Sequence, residues 1–316
     1  MVFHLYCANT QVDDILVFAC PRFPMVHITT DQKASFERDG YLILPAISED
    51  VSKNIVTWTN EVKNLPHRSN AWMHYEEVDS KGQHILCRTE NFANYHDGFN
   101  NLFRGREILG ILEQLGGEEM VLFKEKINYK APWAGGFRPH LDSPSYQHIG
   151  NVKHLSILMA SEPATLENGC LEVVAGSHKD SVPLGDDKCI DPSWCDKQTW
   201  TPVPLKTGEF LIFGSYLAHR SGPNNSPNGR AAIYATYNAI SDGGDKHDAY
   251  YIDRRKNWPP TADRLMGEKY AKGAKLYAYV VPIIRSFNFT NSCLVYASFG
   301  SPMLTVDAES YKAMGL

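Results

Sequence analysis

The stretch MVLFKEKINYKAPWAGGFRPHLD, residues 120–142, sets the period for the middle of the chain. Its first ten residues are rich in β-branched and aromatic side chains, and Lys126, Asn128 and Lys130 fall on one face if the backbone is extended. Pro132 and Gly135-Gly136 then break the strand before Pro139-His140-Leu141-Asp142. Segments at residues 154–160, 170–175, 209–214 and 231–237 have the same short, β-branched and aromatic character and are separated by Gly, Pro and Asn clusters. Strands that follow one another without helical patterns between them argue against a doubly wound parallel sheet. They argue for a mainly β protein with an antiparallel jelly roll.

Upstream the period is helical. Thr29 with Gln32 forms a capping-box pattern, and Phe36 is followed by the stop Asp39-Gly40. Tyr41-Leu42-Ile43-Leu44 reads as a strand. Ser48 precedes Val51, Ile55, Trp58, Val62 and Leu65, a four-three-four-three spacing that marks one buried helix face ending before Pro66. Ile108, Ile111, Leu112 and Leu115 repeat that pattern before Gly116-Gly117. The first third is therefore expected to be helix-rich support flanking the β core.

Composition narrows the function. The 316 residues are 43% apolar and 11% aromatic, enough for a sizeable core. Lys and Arg number 31 against 36 Asp and Glu, a net charge of −5 that lacks the basic excess of a nucleic-acid binder. No apolar run approaches the ~20 residues that span a bilayer, so a membrane partner is not expected. The opening segment has no basic residue before its apolar stretch and is interrupted by Asp13-Asp14, so it reads as mature sequence. Seven cysteines, an odd number without C-x-x-C pairing, fit thiols in a reducing, cytoplasmic compartment. The sequon Asn288-Phe289-Thr290 reads as ordinary loop or strand end.

His140 and Asp142, two residues apart, share a face on extended backbone, a geometry suited to chelation. A second histidine, His219, lies in the turn-rich run Ala218-His219-Arg220-Ser221-Gly222-Pro223-Asn224. Two histidines and one carboxylate make the facial triad of non-haem Fe(II) oxygenases, which leaves metal positions open. Arg230 stands at the start of the next predicted strand, where an antiparallel neighbour would return it to the metal's side. Its guanidinium fork suits a dicarboxylate.

Three motifs in order, residues 124–142 (KEKINYKAPWAGGFRPHLD), 164–178 (ATLENGCLEVVAGSH) and His219 to Arg230, resemble the phytanoyl-CoA dioxygenase-like branch of Fe(II)/2-oxoglutarate oxygenases. Within that branch, Tyr250-Tyr251-Ile252-Asp253-Arg254-Arg255 and Trp258-Pro259-Pro260 look most like the 2-aminoethylphosphonate dioxygenases. The resemblance implies a double-stranded β-helix (a cupin-like jelly roll) whose mouth holds Fe(II) on His140, Asp142 and His219. It also implies O2 and 2-oxoglutarate as cosubstrates, with Arg230 on the distal carboxylate and Ser221 either helping or capping a turn. Ala175 replaces the Pro usual in the V-V-P-G-S-H turn, a change expected to touch packing. One oxygenase domain is expected over residues 28–284, between an N-terminal extension (1–27) and a C-terminal extension (285–316) of unknown role.

Further site candidates are less constrained. Arg88 is expected near the cosubstrate or substrate, or else on a surface strand. Lys126, Asn128 and Lys130 are candidate pocket residues, with some of them free to point to solvent, and Tyr146 and Trp133 are candidate substrate walls. The expected reaction is hydroxylation of a small molecule with release of succinate and CO2. Desaturation or ring formation on a hydrophobic natural product is the alternative, and a jelly-roll binding protein without turnover is the non-enzyme alternative. The retained Asp142 disfavours halogenation. A homo-oligomer remains open.

Overall fold

Thr29 opens the first helix by the reciprocal bonds that its spacing to Gln32 predicts. Gln32 N donates to Thr29 Oγ1 at 3.2 Å, and Thr29 N donates to Gln32 Oε1 at 2.9 Å. The helix α1 (Thr30–Asp39) ends on Gly40, whose φ of 83° and contact with the His178 ring, 2.3 Å from where a Cβ would sit, admit only glycine. Ser48 caps α2 (Glu49–Lys63), which buries Ile55, Thr59 and Val62. α3 (Asp97–Phe103) and α4 (Arg106–Gly116) follow. The computed structural model describes residues 26–78, 82–150, 154–278 and the backbone of 282–283. The two expected terminal extensions and the sequon lie outside the described residues, apart from residues 26 and 27.

The strands are β1 (Tyr41–Leu44), β2 (Met73–Val78), β3 (His84–Glu90), β4 (Met120–Lys130), β5 (Gly136–His140), β6 (His154–Ala160), β7 (Leu171–Val173), β8 (Thr201–Val203), β9 (Phe210–Gly214), β10 (His219–Ser221), β11 (Arg230–Ala239) and β12 (Pro282–Ile283). Seven of them form one sheet in the order β1-β9-β6-β11-β4-β3-β2, and five form a second in the order β12-β5-β10-β7-β8. The pairings within both sheets are antiparallel. This is the expected jelly roll with flanking helices.

Leu158, Val173, Leu211, Phe213 and Ala232 form one apolar cluster of the β core. A larger cluster joins strand residues such as Ile127, Ile157 and Tyr237 to Ile55, Val62, Phe99, Phe103, Ile108 and Ile111 of the helices. The first third is thus helical support, as its periodicity predicts, and it also contributes β1, β2 and β3 to the larger sheet.

Three elements near the site do not announce themselves by apolar period. α5 (Pro192–Cys195) is a single turn, but α6 (His247–Asn257) and α7 (Ala271–Tyr277) are full helices. α6 buries His247, Tyr250, Tyr251 and Arg254, a helical spacing written in polar and aromatic residues. Among the described residues no helix is long and apolar enough to cross a membrane.

Candidate active site

The register of the smaller sheet places His219 directly opposite His140. Their rings lie 4.0 Å apart between centroids, at 55°. Asp142 does not reach them by strand alternation alone. β5 stops at His140, and Asp142 turns into helical φ/ψ (−76°, −33°), with its N–H donating to Ser215 O at 3.1 Å. That turn brings Asp142 Oδ1 to 3.9 Å from Nε2 of each histidine. One ligand atom from each of the three lies within 4.8 Å of the others.

The hydrogen bonds behind the triad fix its donor atoms. His140 Nδ1 donates to Arg138 O at 2.7 Å, and His219 Nδ1 donates to Leu217 O at 2.9 Å. Each ring therefore carries its proton on Nδ1 and turns the Nε2 lone pair towards Asp142, the form a metal requires. Burial and the neighbouring His219 push His140 down to about 3, so it is neutral at physiological pH. Burial works against the Asp142 carboxylate, but His219 and Lys126 outweigh it and hold the group at about 2. Two imidazoles that present Nε2 and one carboxylate are a donor set that fits Fe(II) and leaves coordination positions for ligands. Both histidines are buried and line the cavity.

A cavity of about 720 Å³, its open mouth included, contains the triad. Its far wall is the row Lys124, Lys126 and Asn128 of β4, flanked by Arg88 and Glu90 of β3, which lie opposite Asn128 and Lys126. Arg88 Nε donates to Asn128 Oδ1 at 2.9 Å, so Arg88 is a buried cavity residue rather than a surface one. Lys126 also faces inward, over the Tyr234 ring at 4.8 Å. A smaller pocket shares Asn128, Phe137, Ser221 and Tyr234 with the first and adds Lys130 and Arg230. Lys130 Nζ donates to Ser221 Oγ at 3.0 Å, to Gly222 O at 2.7 Å and to Gly169 O at 3.2 Å. None of Lys126, Asn128 and Lys130 points to solvent.

Arg230 reaches this inner pocket from the first residue of β11, which has antiparallel neighbours. It pairs with Lys130 of β4 in the larger sheet. Its guanidinium is held by Asn168 O at 3.0 Å and by Gly169 O.

Two expected walls are placed differently. Trp133 is 69% exposed on a loop and does not line either pocket. Tyr146 is buried behind the cavity, with Lys124 Nζ 4.4 Å from its ring centre. Residues not anticipated also line the cavity: Lys124, Glu90, Tyr234, Tyr250, Arg254 and Tyr277. Lys124 and Glu90 are within reach of a period-two reading, since they extend the rows of Lys126 and Arg88. Arg254 and Tyr277 arrive on α6 and α7, which apolar periodicity does not mark.

These observations define a jelly-roll metalloenzyme site, and comparison with known proteins names its class. The phytanoyl-CoA dioxygenase (PhyH) family model matches residues 36–232, and the chain belongs to that family. It is an Fe(II)- and 2-oxoglutarate-dependent oxygenase. A 2-aminoethylphosphonate dioxygenase from uncultured bacterium HF130_AEPn_1 is 34% identical over 82% of this chain and 100% of its own length. A methylphosphonate hydroxylase from Gimesia maris is 36% identical over 77% of this chain and 92% of its own. Among solved structures, EctD from S. alaskensis with 2-oxoglutarate and 5-hydroxyectoine superposes with a TM-score of 0.60 at 22% identity, covering 68% of this chain and 77% of that one, a likeness of fold.

Proposed function

We propose that His140, Asp142 and His219 hold Fe(II), that the inner pocket takes 2-oxoglutarate, and that the outer cavity presents a small anionic molecule, of phosphonate type, for hydroxylation. The convergence of two Nδ1-protonated imidazoles on one ionised carboxylate carries this reading. Fe(II) bound there, with O2 and 2-oxoglutarate, supplies the oxidising equivalent, and succinate and CO2 are released.

The protein's own contribution is orientation and charge. Arg230, its Nε and one Nη already bound to backbone carbonyls, aims the rest of its fork into the inner pocket, where the distal carboxylate of 2-oxoglutarate would sit beside Lys130 and Ser221. Burial and the nearby Arg230 lower Lys130 to about 7, so a carboxylate guest would also favour its charged form. In the outer cavity Arg88, Lys124, Lys126 and Arg254 would receive the substrate anion. Buried cations in such number are costly without a guest of opposite charge. The names of the two phosphonate-processing relatives support the same substrate class.

The oxygenase unit would span residues 28–284, because α6 and α7, beyond the family match, complete the cavity wall. Cys87, Cys170, Cys189 and Cys195 as thiols suit a cytoplasmic setting. The test is succinate formation and incorporation of one atom of 18O from 18O2 with Fe(II), 2-oxoglutarate and methylphosphonate. Coupled product supports the reading, whereas no 2-oxoglutarate consumption in iron-loaded protein would remove it.

A further inference from the structure

We infer that the outer cavity selects a doubly negative substrate that carries no cationic group, because Lys124 already occupies the aromatic faces a substrate ammonium would use. The inference rests on the anionic-substrate reading above and goes further, to which anions are admitted.

Three tyrosines line the cavity, Tyr234, Tyr250 and Tyr277, and each has a side chain of the protein's own cations over its ring. Lys126 Nζ lies 4.8 Å from the Tyr234 centre, Lys124 Nζ lies 5.6 Å from Tyr250, and the Arg254 guanidinium lies 4.7 Å from Tyr277. Lys124 also sits 4.4 Å from the Tyr146 centre, so it is wedged between two rings. A cage of this kind is what proteins use to bind ammonium ligands. Here the chain fills it with its own amine.

No carboxylate is left over for a substrate amine. The cavity has two, Asp142 and Glu90. Asp142 belongs to the triad, and Glu90 is held by Arg254 at 2.6 and 2.7 Å and by Arg88 at 3.4 Å. Against these two stand the cations Arg88, Lys126 and Arg254 and the Lys124 amine, whose proton affinity burial lowers well below that of an ordinary lysine. Lys124 and Lys126 have no ion-pair or hydrogen-bond partner among the described residues; their contacts are with aromatic rings. Since the two charges of Fe(II) and those of the 2-oxoglutarate dianion cancel, the cavity is short of one negative charge with Lys124 neutral and of two once an anion draws a proton onto it. A dianionic head supplies them. A zwitterion brings a positive charge into a space where buried like charges repel across a few ångströms of low dielectric.

The prediction separates two molecules of nearly equal size, ethylphosphonate and 2-aminoethylphosphonate. Calorimetric titration of the anaerobic Fe(II)·2-oxoglutarate enzyme should show ethylphosphonate binding at least about tenfold more tightly. Lys124→Ala, which empties the cage, should bring the two within about twofold. Lys124→Arg, which keeps a cation between the rings, should preserve the preference and controls for disturbed folding, checked by circular dichroism. Equal or tighter binding of 2-aminoethylphosphonate by the unaltered protein overturns the inference, as does an unchanged ratio in a folded Lys124→Ala. If neither phosphonate binds, the anionic-substrate reading itself fails, a result distinct from binding without discrimination.

Discussion

The two pockets, one lined by the triad and the other joined to it through Asn128, Phe137, Ser221 and Tyr234, hold their cations by opposite means. In the inner one, Arg230 and Lys130 are fixed by the carbonyls of Asn168, Gly169 and Gly222, so position and direction are set by backbone that side-chain changes scarcely move. In the outer one, Lys124 and Lys126 rest on aromatic faces, and Arg88 and Arg254 share one carboxylate, Glu90. Carbonyl dipoles orient a donor without cancelling its charge and give a site for one guest of fixed geometry. Ring faces screen charge only weakly and leave geometry loose.

The triad lines the outer cavity, and its removal has the largest expected effect. Asp142→Ala should lower turnover by about three orders of magnitude or more and abolish stoichiometric iron binding, as iron analysis would read, with the far-ultraviolet circular dichroism retained. Full activity in that variant would dissolve the comparison, because neither pocket would then border a metal.

Next, Arg230→Ala should raise the 2-oxoglutarate requirement by about 10- to 150-fold, the equivalent of the ~1.5–3 kcal/mol of a charge-assisted contact. The KM for the anionic substrate should move little. A rise in both would mean that the pockets are one site.

The third test acts on the outer wall from behind. Glu125, on the opposite face of β4 from Lys124 and Lys126, is wholly buried against His247 of α6, with Oε2 and Nε2 2.8 Å apart. Burial disfavours the Glu125 charge, but His247 outweighs it and lowers the carboxyl. His247→Ala would leave that buried carboxylate without its ion-pair partner, held by Ala93 N–H at 2.8 Å and the Tyr251 hydroxyl at 3.4 Å, and should cost ~3–5 kcal/mol of stability, measured by denaturant unfolding. Because α6 also carries Arg254 and Tyr250, the folded remainder should show a raised substrate KM with the 2-oxoglutarate KM unchanged.

The smallest effect is in pH dependence. Burial and the nearby Arg88 lower Lys126 to about 8. The free enzyme therefore loses that positive charge as pH rises through about 8, and kcat/KM for an anionic substrate should fall about threefold above it, a limb that Lys126→Met should remove. Arg230 is also lowered by burial, but from the far higher range of a guanidinium, so the inner pocket should show no corresponding limb from the arginine.

Several elements are legible in the residues themselves. The Thr29 and Ser48 caps, the helix faces on Ile55 and Ile108, and the strands around residues 120–130 and 154–160 follow from spacings a few residues long, because caps and periodicity are local. The row from Lys126 to Lys130 reads as one face, and its extension to Lys124 needs only the same period of two. The motifs also bring His140, Asp142, His219 and Arg230 forward as a set. What the sequence does not supply is distance and route. Asp142 meets the histidines through a turn, and Arg230 comes from the opposite sheet. Trp133, adjacent in sequence to the motif, stands in solvent.

By itself, then, the sequence determined the elements with local signals, the jelly-roll class and the donor chemistry of the site, since residue type and short spacing carry that information. Only the tertiary structure decided which charges share a cavity. Glu90 between Arg88 and Arg254, Lys124 between Tyr146 and Tyr250, and α6 closing over β4 join residues up to 164 positions apart. Long-range burial and charge pairing depend on the sum of all packing contacts, which no window of sequence contains.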